Sequence, residues 1–457
     1  MNTTTLTSPV LSTPVLGTPT PTDRLTIGVV GLGYLGAVHA ACMADLGHRV
    51  IGYDIDARKV DHLRRAEAPF FEPELEDLLA RTQGENLLFA SDTVELKGAD
   101  VVFVCVGTPQ RKGELAADTS HVVAAVESLA QILDGPALIV GKSTVPVGTA
   151  ARLADLLAGT TPDLEIAWNP EFLREGHAVA DTLSPDRLVF GVTSDRAETL
   201  LRAVYARPIA TGTPVIVTDR PTAELVKVAA NAFLATKISF INAMADVSEA
   251  AGADVTVLAD AIGYDDRIGR KFLGAGIGFG GGCLPKDIRA FGARAGELGA
   301  DQALTFLREV DAINMRRRSK VVDMARDAVG GSLIGRKIAV LGAAFKPQSD
   351  DIRDSPALNI AAQARLQGAD VVVADPAAID NANALWPDLT YAGSAEEACA
   401  GADVVLLLTE WPEYTSLDPA ALGPLTRSRT IIDGRNALNP TTWRAAGWTY
   451  RGIGRPQ

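Results

Sequence analysis

Leu25-Thr-Ile-Gly-Val-Val30 runs directly into Gly31-Leu-Gly-Tyr-Leu-Gly36. The apolar residues predict a buried strand, and the Ala-rich segment after the glycines predicts a helix. A second predicted strand, Arg49-Val-Ile-Gly-Tyr-Asp54, ends in an acid at about the twenty-residue spacing of a dinucleotide-binding βαβ unit. Because the glycine pattern follows a strand, opens a helix and is matched by this acid, the sequence predicts a Rossmann-type α/β domain.

The same glycines predict where a ligand binds. They leave room for a pyrophosphate at the N-terminus of the helix, where free N–H groups and the helix dipole favour an anion. Asp54 would accept hydrogen bonds from both ribose hydroxyls and repel a 2′-phosphate, which favours NAD over NADP. A glycine turn in some other βαβ unit is the alternative that these residues leave open.

Two further apolar runs end in polar loops. Asp100-Val-Val-Phe-Val-Cys-Val106 is followed by Gly107-Thr108-Pro109, and Ala137-Leu-Ile-Val-Gly141 by Lys142-Ser-Thr-Val-Pro146. In an open parallel sheet, loops at the carboxyl ends of strands line the ligand crevice. These two loops are therefore predicted to face the ligand.

Composition and charge exclude several classes of partner. At 457 residues the chain should form two or three domains, and 43 basic against 56 acidic residues give a net charge of −13. Nucleic acid is not an expected partner, and the longest basic run, Arg316-Arg317-Arg318, is interpreted as a solvated helix face. No apolar run approaches the ~18–20 residues of a membrane span, so no membrane association is expected.

The N-terminal composition and the cysteine spacing favour the cytoplasm. Residues 1–23 are mostly Thr, Ser and Pro with no secretory or transit pattern, and they are predicted to be a disordered tail. Cys42, Cys105, Cys283 and Cys399 include no CxxC pair, which argues against zinc and against a disulfide framework. Cys42, Cys105 and Cys399, which lie in apolar or helical patterns, are predicted to be buried and inert.

A glycine-dense loop, Gly276-Ile-Gly-Phe-Gly-Gly-Gly-Cys-Leu-Pro-Lys-Asp287, carries one thiol and one carboxylate. Glycine is used where the backbone adopts positive φ or approaches a ligand closely. Cys283 is therefore predicted to be accessible to a substrate. A tight turn that happens to hold a small apolar residue is the alternative.

Two other segments carry candidate catalytic groups. Glu171 and Glu175 follow a predicted strand, and a solvated helix start would explain them equally well. In the helix predicted from Pro221 to beyond Ala251, Lys227 and Asn231 share one face among apolar neighbours. They either stabilise a developing oxyanion, or the lysine extends past its apolar neighbours to solvent.

A second α/β unit partly repeats the first. Gly98-Ala-Asp-Val-Val102 recurs as Gly401-Ala-Asp-Val-Val405, and Asp375 ends a strand as Asp54 does. The second unit has Gly-Ala-Ala-Phe-Lys-Pro in place of the dinucleotide turn, so it is predicted to keep the fold and to bind a different phosphate-bearing ligand. Its loops carry the basic residues Lys346, Arg353 and Arg435.

With these segments in this order, the chain resembles the UDP-glucose 6-dehydrogenase family, within the nucleotide-sugar dehydrogenases, from about Leu25 to near the C-terminus. Besides the two glycine-rich segments, the resemblance is carried by Phe71-Glu-Pro-Glu-Leu75, Gly107-Thr-Pro109, Lys142-Ser-Thr-Val-Pro-Val-Gly148, Asn169-Pro-Glu-Phe-Leu173, Glu224-Leu-Val-Lys-Val-Ala-Ala-Asn231, Arg267-Ile-Gly269 and Phe345-Lys346. One departure is Gly282, where many relatives have Ser. It is expected to add flexibility and to put no role in doubt.

The resemblance implies a catalytic role for each candidate. Cys283 is the implied nucleophile, and Lys227 and Asn231 are the implied oxyanion stabilisers. Asp287, together with Thr144, is implied to hold a water that accepts the first proton.

The resemblance also implies binding roles. Glu171 is the implied acid/base for thioester hydrolysis, and Arg267 is implied to reach the substrate of a neighbouring subunit in a homodimer or larger homo-oligomer. The implied nucleotide-sugar contacts are Glu171, Phe172, Leu173, Lys227, Asn231, Arg267, Phe272, Leu273, Gly276, Phe279, Gly280, Phe345, Lys346 and Arg435. The implied NAD contacts are Gly31, Gly33, Tyr34, Leu35, Gly36, Asp54, Lys59, Thr108, Pro109, Thr144, Glu175 and Arg353, and no metal is implied.

The family's fold is α/β, with two Rossmann-like doubly wound domains joined by a central helical dimerisation domain. The predicted parts are the tail at 1–23, an NAD-binding domain at 24–215, a central domain with the Cys283 loop at 216–330, and a UDP-sugar-binding Rossmann-like domain at 331–457.

The chemistry of the residues supports the same assignment. Oxidising an alcohol to an aldehyde needs a base and NAD but no thiol, whereas the second oxidation needs a nucleophile on the aldehyde. A thiolate forms a thiohemiacetal, whose oxidation gives a thioester that water cleaves. Cationic Lys227 is expected to favour the thiolate of Cys283. The expected reaction is the four-electron oxidation of UDP-glucose at C6 to UDP-glucuronate with two NAD.

Three alternatives stay open. The same chemistry could act on GDP-mannose, although Arg267-Ile-Gly followed by Phe272-Leu273 is more similar to the UDP-glucose branch. A one-step β-hydroxyacid dehydrogenase also combines a Rossmann domain with a Lys-x-x-x-Asn helix, but it has no use for Cys283 or a third domain. A non-catalytic nucleotide-sugar or NAD sensor would be expected to lack one of Cys283, Lys227 and Asp287.

Overall fold

The computed structural model describes residues 24–84, 86–159, 161 and 163–456, so the predicted tail at 1–23 lies outside the described residues. In this part of the chain, two sheets of mostly parallel strands lie on either side of a group of long helices. The predicted α/β class with two doubly wound units and a central helical part is confirmed.

The first sheet contains eight strands. They are β1 Thr26–Val30, β2 Arg49–Tyr53, β3 Leu87–Ala90, β4 Val101–Val104, β5 Leu138–Gly141, β6 Glu165–Trp168, β7 Leu188–Gly191 and β8 Val215–Thr218. Their spatial order is β3-β2-β1-β4-β5-β6-β7-β8, and all pairs are parallel except β6 with β7. The order runs outward in both directions from β1, which places a ligand crevice at the carboxyl ends of β1 and β4.

Helices cover both faces of this sheet. They are α1 Tyr34–Asp45, α2 Ala57–Arg64, α3 Leu75–Thr82, α4 Ser120–Ile132, α5 Thr149–Ala158, α6 Ala178–Leu183, α7 Asp195–Val204 and α8 Ala206–Ala210. All four residues of β4 and all four of β5 are buried, as expected for parallel strands with helices on both faces.

Four helices form the centre of the chain: α9 Arg220–Ala251, α10 Val255–Gly263, α11 Leu284–Glu297 and α12 Phe306–Ala328. The predicted long helix is thus confirmed. It begins where Asp219 accepts a hydrogen bond from the N–H of Thr222, with Pro221 in the first turn, and it ends at Gly252 with φ of 72°.

By length and composition, α9 is the one helix of the described residues that could cross a membrane. In its most apolar window 44% of the residues are buried inside the protein, and the helix packs against α11 and α12. This is the environment of a core helix.

The second sheet repeats the strand order of the first. Its strands are β9 Lys337–Leu341, β10 Asp370–Ala374, β11 Thr390–Tyr391, β12 Val404–Leu407, β13 Thr430–Asp433 and β14 Thr449–Gly452, in the all-parallel order β11-β10-β9-β12-β13-β14. The helices between them are α13 Pro356–Leu366, α14 Ile379–Leu385, α15 Ala395–Cys399, α16 Pro412–Thr415, α17 Pro419–Leu422 and α18 Pro440–Ala445.

The repeat predicted from sequence has the same structural role in both sheets. Asp100 accepts a hydrogen bond from the N–H of Thr26 at 2.8 Å, and Asp403 accepts one from the N–H of Lys337 at 2.8 Å. Each aspartate therefore joins the start of the fourth strand of its unit to the start of the first strand.

The predicted solvated face at Arg316-Arg317-Arg318 is wrong for two of the three residues. Arg316 is exposed, but the side chains of Arg317 and Arg318 are each 2% exposed. Arg317 pairs with Asp246 of α9 at 2.5 Å and Arg318 with Asp354 at 2.9 Å. Both carboxylates come from distant parts of the chain, and they are what allows these cations to be buried.

Candidate active site

The turn between β1 and α1 has the shape of an anion site. Gly31 has φ of 89°, and a Cβ on Gly36 would lie 1.8 Å from the carbonyl oxygen of Gly31, so both positions require glycine. A Cβ on Gly33 would meet nothing within 4 Å, and α1 begins at Tyr34 without a side-chain cap. The first N–H groups of α1 therefore remain available to a pyrophosphate.

Asp54 lies at the end of β2, beside this turn. Its carboxylate accepts a hydrogen bond from the N–H of Leu32 at 2.7 Å and pairs with the Lys59 ammonium at 2.9 Å. The two sequence-predicted groups Asp54 and Lys59 therefore lie together, next to the glycines. An open helix N-terminus flanked by a carboxylate for ribose fits NAD.

Tyr34, a predicted NAD contact, has a further partner. Its hydroxyl donates to the carboxylate of Glu72, which also accepts from the N–H of Gly176 at 2.6 Å and that of Ala178 at 2.7 Å. Burial, followed by the Glu72 carboxylate, raises the pKa of Tyr34 well above its ordinary value. Glu72 thus ties the start of α1 to the segment after β6.

Cys283 lies immediately before α11 and is exposed, whereas Cys42, Cys105 and Cys399 are buried as predicted. Although part of Cys283 is accessible, protein atoms surround its sulfur on the other sides. This desolvation raises the pKa of the Cys283 thiol to about 11, opposed by the charge of Lys227 and reinforced by Asp287. The expected thiolate is therefore wrong: Lys227 acts in the predicted direction, but burial outweighs it.

The rate at which iodoacetamide alkylates Cys283 should follow this pKa. Because only the thiolate reacts, the rate should rise about tenfold per pH unit from pH 7 to 10 and level near the pKa. The site of modification would be identified by peptide mass, with the buried Cys399 as the unreactive reference. A rate that is already constant at pH 7 would show that the resting sulfur is ionised.

Lys227 of α9 and Glu171 after β6 form a buried ion pair. Lys227 Nζ lies 2.8 Å from Glu171 Oε1, and their side chains are 8% and 12% exposed. The pKa of Lys227 is raised, since Glu171 and the Cys283 and Asp287 groups outweigh the opposing desolvation by burial. The alternative of a solvated lysine is therefore wrong, and so is the solvated helix start for Glu171, because α6 begins only at Ala178.

Asn231 and Asp287 form the second polar contact of the site. Asn231 Nδ2 donates to Asp287 Oδ2 at 2.7 Å, and Lys286 Nζ lies 2.6 Å from Asp287 Oδ1. Asp287 is 2% exposed and lines one cavity with Thr108 and Thr144. The structure thus brings the loops after β4 and β5 to the carboxylate of α11.

The loop before α11 is held by buried side chains. Asn242 Oδ1 accepts from the N–H of Gly276 at 2.9 Å, and the Asn314 amide bonds both main-chain groups of Phe279, at 2.7 and 3.0 Å. A Cβ on Gly282 would lie 2.3 Å from Cζ of Arg353. Gly282 therefore provides space for a guanidinium, which corrects the expectation that it adds flexibility.

The basic residues of the second unit reach the first. Lys346 Nζ donates to the carbonyl oxygen of Glu175 at 2.6 Å, and Arg353 pairs with Glu175 at 3.3 Å and with Asp351 at 2.7 Å. Burial, followed by the Asp351 charge, raises the pKa of Glu175 to about 7. Arg435 donates to the carbonyl oxygens of Gly278 at 3.1 Å and Phe345 at 3.0 Å, so it joins the glycine-dense loop to the loop after β9.

Two predicted substrate contacts lie elsewhere in this chain. The Arg267 side chain is 88% exposed and pairs with Asp265 at 2.6 Å, so it meets no other predicted site residue. Leu273 is 2% exposed and belongs to the core between the central helices and the second sheet. Its neighbour Phe272 has φ of 65° and is partly exposed.

Sequence reasoning missed several buried polar residues that support the site. Glu224 accepts hydrogen bonds from the N–H groups of Gly148 and Ala150, both at 2.7 Å, and so ties α9 to the start of α5. Glu224, Lys227 and Asn231 are three and four residues apart, so their common face was readable from the sequence. No local sequence pattern predicts the hydrogen bonds that Asn242, Asn314 and Arg317 make to the glycine-dense loop.

Comparisons with known proteins agree with this arrangement. Models of the UDP-glucose/GDP-mannose dehydrogenase family match as the NAD binding domain at residues 25–209, the central domain at 221–316 and the UDP binding domain at 339–440. The UDP-glucose 6-dehydrogenase of Rhizobium meliloti is 40% identical over 94% of this chain and 100% of its own length. That of Bacillus subtilis named TuaD is 41% identical over 94% of this chain and 93% of its own length.

A solved structure is similar over the same range. The UDP-glucose dehydrogenase of Pyrobaculum islandicum superimposes with a TM-score of 0.87 at 36% identity, covering 96% of this chain and 100% of that one. The matched domains cover most of both sheets and most of the central helices between them. The chain therefore belongs to the UDP-glucose/GDP-mannose dehydrogenase family and uses NAD.

Proposed function

We propose that this chain oxidises the C6 hydroxyl of UDP-glucose to UDP-glucuronate, with two NAD consumed and one water added. The observation that carries the proposal is an accessible thiol, Cys283, beside the buried Lys227–Glu171 pair, in a chain that also has a dinucleotide turn. The relatives at about 40% identity are named for UDP-glucose, which supports this sugar over GDP-mannose.

In the first oxidation, residues of this chain remove the proton of the C6 hydroxyl and stabilise the negative charge that develops on its oxygen. Bound NAD would accept a hydride from C6 in each of the two oxidations. Asp287, with Thr144, holds the water that takes the hydroxyl proton. Lys227 and one of the two amide hydrogens of Asn231 stabilise the negative charge on the C6 oxygen. Lys227 must exchange Glu171 for this oxygen, since its ammonium is paired with that carboxylate in the structure.

In the second oxidation, Cys283 holds the aldehyde carbon. Its sulfur bonds to C6 as the thiol proton passes to the carbonyl oxygen, which becomes a hydroxyl. Loss of that hydroxyl proton and of the C6 hydride, which bound NAD would accept, converts this thiohemiacetal to a thioester. Water then adds to the thioester carbonyl carbon, its proton goes to Glu171, and the C–S bond breaks. Cys283 leaves as a thiolate and is reprotonated, which fits the raised pKa of the resting thiol.

The loops of the second unit would hold the nucleotide sugar. Phe272 to Gly280, Lys346 and Arg435 would contact it, and the two basic side chains would face its two phosphates. Arg435 bonds the carbonyl oxygen of Gly278, and Lys346 that of Glu175. The exposed guanidinium of Arg267 would complete the site of a neighbouring subunit, so we expect a homodimer or a larger homo-oligomer. The proposed parts are an NAD-binding domain at 24–215, a central domain at 216–330 and a UDP-sugar domain at 331–457.

The proposal is tested by a substrate panel read for both rate and stoichiometry. With NAD in excess, UDP-glucose should give two NADH per molecule consumed, and GDP-mannose should react far more slowly. A ratio of one would indicate a one-step dehydrogenase. Faster turnover of GDP-mannose would assign the other branch of the family, and no turnover of any nucleotide sugar would favour a sensor.

A further inference from the structure

Lys142 is a buried ammonium at the carboxyl end of β5, two residues before Thr144. It is 7% exposed, and its Nζ donates to Asn169 Oδ1 at 3.0 Å and to the hydroxyl of Tyr205 at 3.1 Å. In the described part of the chain these partners are neutral, and no carboxylate pairs with this lysine. Burying a cation without a counter-charge is unfavourable, so packing alone does not account for Lys142.

The partners of Lys142 form a closed triangle. The Tyr205 hydroxyl donates to the same Asn169 Oδ1 at 2.6 Å, and Asn169 Nδ2 donates to the carbonyl oxygen of Val189 at 3.0 Å. Lys142 Nζ also lies 5.7 Å from the ring centroid of Phe103 and 5.6 Å from that of Tyr205, within the range of a cation–π contact. Asn169 and Tyr205 are 1% and 2% exposed, so the ammonium and the amide have fixed positions.

This triangle is connected to Glu171 through the main chain. Asn169 is separated from Glu171 by Pro170 alone, so holding Asn169 fixes the main chain from which the carboxylate projects. Burial lowers the pKa of Lys142 to about 8, opposed by Cys105 and Glu171 and reinforced by Lys227. Glu171 is therefore paired with Lys227 and is connected to Lys142 through Asn169.

We propose that Lys142 is a positioning residue for Glu171, which it orients through Asn169. The inference rests on the proposed function, in which Glu171 takes the proton of the water that cleaves the thioester. Lys142 touches no reacting atom, so losing it slows thioester hydrolysis and leaves the binding of UDP-glucose and NAD unchanged.

The test follows the decay of the acyl-enzyme in Lys142→Met, a change that removes the charge and keeps the length of the side chain. Acyl-enzyme is measured by the intact mass of quenched samples, and decay should be about tenfold slower than in the wild type. The first NADH should form within about twofold of the wild-type rate, because Glu171 takes no part in the first oxidation as proposed. The KM values for UDP-glucose and NAD should stay within about twofold.

Other ionisable groups near these two residues stay in place in this variant. Glu171 is faced by Lys227 of α9, Cys283 before α11 and Cys105 after β4, and Lys142 is also faced by His39 of α1. A lysine that only filled space would change thermal stability and all steps together, and its loss would not slow thioester hydrolysis alone.

Two further variants test the hydrogen bonds around Asn169. Tyr205→Phe removes the two hydrogen bonds of the Tyr205 hydroxyl but keeps the bond from Lys142 to Asn169, so its acyl-enzyme should decay within about threefold of the wild-type rate. Asn169→Ala keeps Lys142 but removes its link to the turn, and its acyl-enzyme should decay at least about fivefold more slowly. Asn169→Ala decides the question if Lys142→Met does not fold.

The two proposals fail in different ways. If the wild type does not oxidise UDP-glucose, or if Glu171→Gln accumulates no adduct, the proposed function is wrong and this inference falls with it. If both behave as proposed while the acyl-enzyme of Lys142→Met, or of Asn169→Ala in its place, decays at the wild-type rate, only the inference is overturned.

Discussion

Replacing Cys283 by serine should lower the formation of UDP-glucuronate by at least about a thousandfold, the largest effect that we expect of any single change. A serine hydroxyl has a much higher pKa than a thiol and adds poorly to an aldehyde without a dedicated base. Alcohol oxidation needs no thiol, so the first NADH should still form. The reaction should stop at the aldehyde, which can be trapped with hydroxylamine and identified by mass.

The matched control is Cys399→Ala, which removes a buried thiol at the end of α15 in the second unit. It should keep two NADH per UDP-glucose and a rate within about twofold of the wild type. NAD binding should be unchanged in Cys283→Ser, because Gly31 and Asp54 lie in another part of the chain. Acid formation at the wild-type rate in Cys283→Ser would rule out the thioester route.

Replacing Lys227 by methionine should lower kcat for UDP-glucose about a hundredfold to a thousandfold, the range found when one oxyanion donor is removed. It also leaves Glu171 as a buried carboxylate without its 2.8 Å partner, so the thermal unfolding temperature should fall as well. Activity and stability must therefore be measured separately.

The double change Lys227→Met with Glu171→Gln separates these two effects. Since it removes both charges, the unfolding temperature should recover while the activity stays low. Lys320→Met serves as the control for losing a lysine, because Lys320 pairs with Glu249 at 2.8 Å, away from the reacting groups. If the double variant regained activity together with stability, Lys227 would be a structural residue alone.

The features that the sequence predicted correctly depend on neighbours along the chain. Local backbone geometry determines the turn Gly31 to Gly36 with its acid Asp54. It also determines the start of α9 at Pro221. The shared face of Lys227 and Asn231 follows from helix periodicity. These signals gave the strand–turn–helix unit and the residues that meet at its end.

The features that sequence reasoning missed depend on partners far along the chain. The sequence predicts that Arg317 and Arg318 face solvent, because their partner carboxylates, Asp246 and Asp354, are distant along the chain. The pKa of Cys283 was predicted from the sign of one neighbouring charge, whereas the number of atoms that surround the sulfur decides it. Burial of a single atom cannot be read from a local pattern.

Helix α9 sets the distance and the relative orientation of two parts of the candidate site. Lys227, near one end of the helix, contacts the catalytic candidate Glu171. Asn242, farther along, binds Gly276 of the glycine-dense loop. At a rise of about 1.5 Å per residue they are roughly 22 Å apart, and each inserted residue would rotate one against the other by about 100°. An insertion or deletion between them would preserve the helix but turn Lys227 out of alignment with the loop that Asn242 holds. The number of residues between these two positions is therefore constrained by the reaction.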